Sequence, residues 1–140
     1  VNRRRRKKLS GRLVDAVLVG DPVRVRALLR SGAPAETADA AGTTPLYQAA
    51  VNGDAGLVRS LLAAGARPDT ESGIGSEGTP LCGAACWGYA EAVRALLEHG
   101  ADPNLAEDHG TGWTPLDWAV HGGHGETVDL LTAAGAVPRR

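Results

Sequence analysis

The chain repeats itself. Thr44, Thr79 and Thr114 each open a Thr-Pro-Leu, at two successive steps of 35 residues. Gly32, Gly65, Gly100 and Gly135 each open a Gly-Ala, at steps of 33, 35 and 35. Val25, Val58, Val93 and Val128 keep those steps, and the pairs Leu28-Leu29, Leu61-Leu62, Leu96-Leu97 and Leu130-Leu131 follow them closely. A period of this size makes each copy one supersecondary unit and rules out a single thick core.

Each copy carries the local signals of two short helices. Thr44 precedes Pro45, and proline suits the first helical position because its missing N–H would have no partner there. Leu46, Ala49 and Ala50 form an i, i+3, i+4 apolar stripe, and Gly53 ends the helix. Asp54 is placed to cap the next helix, as Asp21 is before Pro22 in the first copy. Leu57, Val58, Leu61 and Leu62 make a second apolar stripe, closed by Gly65 in the left-handed conformation open to glycine. The polar, Gly-rich stretch before the next Thr-Pro-Leu reads as a turn or hairpin-like loop. Helices under about 12 residues are marginal alone in water. Their apolar faces must therefore be covered by neighbouring copies, which predicts an all-α solenoid of stacked helix-turn-helix units.

These units resemble ankyrin repeats, whose pattern has a Thr-Pro-Leu-His opening, an Ala-Ala pair, a Gly-His junction and a Leu-Leu…Gly-Ala close. The resemblance runs from about Leu9 to Pro138 and implies four repeats, at about 9–38, 39–73, 74–106 and 107–138, the outer two acting as caps. His124 supplies the junction histidine of the last unit; Asp21, Asp54 and Tyr89 stand there in the others. Tyr47, Cys82 and Asp117 replace the opening histidine that braces the loop, so weaker loops are expected. Gly11-Arg12-Leu13 falls where the first Thr-Pro-Leu would be. The loops TESGIGSEG and LAEDHGTGW each carry about two extra residues, and Thr132 stands where Leu29, Leu62 and Leu97 do.

Charge divides the chain in two. Six cations form the run Arg3 to Lys8; with that run set aside, nine cations face sixteen acids, a net charge of -7. Such a body is a poor nucleic-acid binder. The run itself reads as a basic, disordered tail over residues 1–8. No apolar stretch approaches the roughly 18 residues of a membrane span. Arg12 and Asp15 interrupt the apolar core that a signal peptide would need. Two cysteines four residues apart fit no disulfide framework, so a cytoplasmic protein is expected. Thirteen arginines against two lysines, and Val1 where Met is usual, point to a bacterial source.

The resemblance implies a concave groove built from loop tips and first helices. Its binding positions are the loop residues just before Thr-Pro-Leu and the two positions after Ala-Ala. Carried onto this chain, the partner-binding candidates are Thr43, Gln48, Val51, Asn52, Glu77, Cys86, Trp87, Thr111, Trp113, Trp118 and His121. All three tryptophans fall in this set, and tryptophan is enriched at the centres of interfaces. The bland alternative is that these rings fill gaps left by Ala and Gly at the end of a small stack.

Cys82 and Cys86 lie at i, i+4, and one period later stand Asp117 and His121, a set that would ligate zinc if it converged. Stacked helices lie roughly 8–10 Å apart, a long reach for cysteine, so no metal or other cofactor is expected. No nucleophile with an oriented base and no phosphate-binding glycine loop is visible, so no enzyme is expected. The function expected is that of a monomeric, non-catalytic module binding another protein, of neutral or basic surface, through its groove. The alternative is a regulatory protein that meets nucleic acid or an anionic membrane through Arg3 to Lys8.

Overall fold

The computed structural model of the chain describes residues 2–74 and 77–139. Eight helices follow one another among these residues. They are α1 (Arg3–Val19), α2 (Pro22–Arg30), α3 (Pro45–Val51), α4 (Ala55–Ala63), α5 (Pro80–Trp87), α6 (Ala90–Glu98), α7 (Pro115–His121) and α8 (Gly125–Ala133). They form four antiparallel pairs. The first helices α1, α3, α5 and α7 pack in one row, and α4, α6 and α8 pack in a second row behind them.

The helix starts obey the local chemistry of the sequence. Thr44, Thr79 and Thr114 each accept the backbone N–H three residues on, with proline next in line. Asp21 and Asp54 cap α2 and α4 in the same way. Each such cap contributes about 1 kcal/mol. Tyr89 and His124 occupy the same place before α6 and α8 without a side-chain cap.

Their rings have another task. A side chain at Gly53 would collide with the Tyr89 ring at 2.8 Å, and one at Gly88 would collide with the His124 ring. Each junction ring thus sits on the glycine of the preceding unit. His124 also donates through Nε2 to the Cys86 carbonyl at 3.0 Å, satisfying the end of α5. Gly123, the last junction glycine, has nothing within 4 Å of the place a Cβ would take.

One thin core runs the length of the stack, from Leu13 and Val17 through Leu61 and Leu96 to Leu131. A second set of ties runs along the loops. Glu36 accepts the Arg67 N–H, Asp69 the Asp102 N–H and Asn104 the Val137 N–H, so one side chain per unit holds the backbone of the next. The loop tips are hairpin-like, as expected: Ser72 and Gly78 exchange backbone hydrogen bonds of 2.8 and 3.1 Å. The loop TESGIGSEG includes Gly75 and Ser76, which lie outside the described residues.

One expectation is corrected. Arg3 to Lys8, read as a disordered tail, form the first turns of α1, capped by the Asn2 side chain. Leu9, Ser10, Leu13 and Val14 anchor the helix by burial. Extending an existing helix through Arg and Lys, both good helix formers, needs no new nucleus. The charge run ignores that anchor, and its placement at a helix N-terminus works against the macrodipole. Gly11 accordingly lies inside a 17-residue helix, where the other first helices have seven or eight residues.

Candidate recognition groove

The loops that lack the opening histidine are held by other means. The Thr44 N–H donates to Ser72 Oγ at 2.9 Å, and Ser72 Oγ donates to Glu77 Oε1 at 2.6 Å. Thr43 Oγ1 donates to Glu77 Oε2 at 2.9 Å. Glu77 therefore ties two successive loops, and the Gly73 N–H reinforces the tie by donating to the Gly42 carbonyl at 2.7 Å. In the last unit Asp117 closes a capping box with Thr114. The weaker loops expected from the missing histidine are thus compensated by these bonds.

The candidate residues divide into braces and exposed surfaces. Thr43 is buried and Glu77 is committed to it. Gln48 donates to Asn52, and Asn52 Nδ2 donates to the carbonyls of Val17 and Leu18 at 3.1 and 3.2 Å, closing the end of α1. Val51 is half-buried, close to the backbone of Gly83. Thr111 is exposed but holds its own turn by donating to the Asp108 carbonyl at 2.7 Å.

The aromatic candidates come together. Trp113 lies 4.6 Å from Trp118, centroid to centroid, and its ring meets His121 edge-on at 5.1 Å. Trp118 is half-buried and donates through Nε1 to Glu107 Oε1 at 3.0 Å. Trp87 is 62% exposed and Trp113 39%. Trp87, Trp118 and the half-buried Cys86 line one cavity of about 280 Å³.

Four further lining residues escaped the sequence reading: Tyr47, Gly83, Glu107 and Asp108. The signal available for two of them was the lengthened loop LAEDHGTGW, which carries both carboxylates. Tyr47 was in view only as the residue replacing the opening histidine.

This cavity is a crowded electrostatic site. Burial, with the charges of Glu77 and Glu107 behind it, raises the Tyr47 hydroxyl to about 12. Burial also pushes the Cys82 thiol up to about 12, and raises Cys86, to which the Glu107 charge adds. Glu107 itself is raised, first by partial burial and then by the charges of Asp108 and Glu71, against the lowering effect of the Trp118 N–H. Raised thiols are poor nucleophiles.

The four residues considered for zinc do not converge. Cys82 is buried and its Sγ donates to the Trp113 carbonyl at 3.5 Å, while Asp117 is held by Thr114 and pairs with Arg139 at 3.3 Å. Among the described residues no group of three or more His, Cys, Asp or Glu side chains is placed to hold a metal ion.

A row of first helices with braced loop tips in front, and indole rings displayed between them, defines an α-solenoid with an exposed aromatic face. The family model for ankyrin repeats in three copies matches residues 13–107 and again 56–140, and the chain belongs to that family. Ankyrin repeats are generally protein–protein interaction modules and typically non-catalytic. No curated protein matches the chain significantly. No helix of the described residues is long and apolar enough to cross a membrane.

Proposed function

We propose that this protein is a non-catalytic adaptor that binds another protein along the face formed by α3, α5 and α7 and the loops before them. The observation that carries this reading is the grouping of Trp87, Trp113 and Trp118 on that face, with Trp87 62% and Trp113 39% exposed. Rings that served only to fill gaps in the stack would be buried by it. Large rigid side chains on a pre-formed scaffold bind with little ordering cost. Two free cysteines support a reducing compartment such as the cytoplasm, and the adaptor acts as a monomer.

Affinity capture from the native cell tests the reading, with the wild-type chain and the Trp87→Ala/Trp113→Ala double variant as baits. The variant keeps the wild-type helical circular dichroism and loses at least about tenfold of the captured partner, an effect in the range of interface hot spots. Equal capture by both baits would sink the groove assignment.

A second reading keeps one observation in its favour: Arg3 to Lys8 are all exposed on one helix. Binding through them would fall steeply with salt and vanish on deleting residues 3–8. Groove binding survives that deletion.

A further inference from the structure

The cavity between α3, α5 and α7 differs from the rest of the recognition face in its chemistry. Tyr47, Trp87 and Trp118 contribute aromatic side chains to its lining, one from each of three successive first helices. Glu77, Glu107 and Asp108 contribute carboxylates from the two intervening loops. Among the described residues the ion pairs are Arg59 with Glu98, Arg94 with Glu91 and Arg139 with Asp117, so none of these three carboxylates has a cationic partner.

The carboxylates are not equivalent. Both oxygens of Glu77 are engaged by Thr43 and Ser72. Glu107 receives one hydrogen bond at Oε1, from the Trp118 indole, which orients the carboxylate and the ring against each other. Partial burial first, and then the charges of Asp108 and Glu71, disfavour the ionised state of Glu107 in the free protein. Such a charge is relieved by an incoming cation.

Aromatic faces and unpaired carboxylates together favour one kind of guest. An anion is repelled, and a neutral apolar group leaves Glu107 and Asp108 further desolvated with nothing in return. A planar guanidinium stacks on aromatic rings and donates several N–H groups to carboxylates at once. We propose that this cavity is a pocket for an arginine side chain, presented by a basic segment of the partner protein. This rests on the groove reading above and names the chemistry by which that groove selects its partner.

Chemical-shift titration of the three indole N–H groups in the intact chain tests the pocket. The probe is the peptide acetyl-Gly-Arg-Gly-amide, with its citrulline analogue as the neutral, nearly isosteric control. The arginine peptide shifts the Trp87 and Trp118 signals saturably, and the citrulline peptide binds at least about tenfold more weakly. Glu107→Gln retains an acceptor for the Trp118 N–H, so it keeps the ring in place. It reduces the preference for arginine over citrulline by about fivefold or more.

Equal binding of the two peptides, absence of any saturable shift, or an unchanged preference in Glu107→Gln overturns the pocket. The groove reading stands or falls separately, on capture by the Trp87→Ala/Trp113→Ala bait. A partner lost by that bait while the arginine peptide fails to bind would leave the groove and remove the pocket.

Discussion

The second helices α4 and α8 occupy equivalent places in the repeat, yet the stack treats them differently. In α4, Leu57, Val58, Leu61 and Leu62 are all buried. At the same positions of α8, Thr127 and Leu131 are buried, Val128 is half-buried and Thr132 is exposed. Helix α4 packs against α3 and α6, and α8, the last helix among the described residues, packs against α7 and α6. The apolar stripe is written into each unit, but the burial that gives it value is supplied by the neighbour. The sequence follows suit: Leu62, Leu97 and Thr132 run from buried through half-buried to exposed, and the residue turns polar where cover is lost.

The largest test of that contrast is in the core. Leu96→Ala removes a fully buried side chain from α6 and is expected to destabilise by about 3 kcal/mol. Val128→Ala in α8 is expected to cost below about 1 kcal/mol, because its site is half open already. Urea denaturation of both variants measures the difference, and equal losses would break the inner-versus-outer account.

The junction glycines give the next effect. Gly88 has φ 72°, and the His124 ring occupies the place of a Cβ there. Gly123 has φ 71° and open space. Ala at Gly123 carries only the left-handed backbone penalty of about 1–2 kcal/mol. Ala at Gly88 adds displacement of the ring and is expected to reach about 3 kcal/mol. Thermal melts of the pair isolate the ring contact, and matching melting temperatures would show that the ring yields freely.

The smallest effect sharpens the contrast at the loops. Both carboxylate oxygens of Glu77 accept a hydrogen bond, whereas Glu107 is raised by partial burial and then by its like-charged neighbours. A carboxyl raised in the folded state destabilises it when ionised, and that penalty disappears once both states are protonated. Glu107→Gln is therefore expected to be more stable than the wild type at pH 7. The gain is roughly 0.3–0.5 kcal/mol after solvent screening of this partly exposed group. It fades as pH falls through the raised value and is absent below the ordinary 4.5. Denaturation midpoints measured from pH 3 to 8 follow the sign, and a gain that persisted in acid would refute this assignment.

The stack was legible in the sequence because its information is local and repeated. Caps, prolines, glycines and apolar stripes recur at one spacing, and each states its role within a few residues. The groove was legible only in part. Thr43, Asn52 and Glu77 are polar residues at positions suited to binding, and they turned out to brace a loop or close a helix. Their partners, Glu77, the Val17 and Leu18 carbonyls, and Ser72, lie in other units or across a loop, where periodicity does not reach. Tyr47, Glu107 and Asp108 were missed for the same reason: a pocket drawn from three units has no signature within any one of them. The helical state of Arg3 to Lys8 was hidden because charge composition says nothing about the anchored turns that follow.

The seating of Tyr89 on Gly53 and of His124 on Gly88 bears on how such a chain can change over generations. The third unit brings both the key, Tyr89, and the lock, Gly88, so copying that 35-residue segment copies its alignment rule as well. A lengthened array would inherit its register without any adjustment of the interior, leaving the loop tips and exposed rings at liberty to diverge.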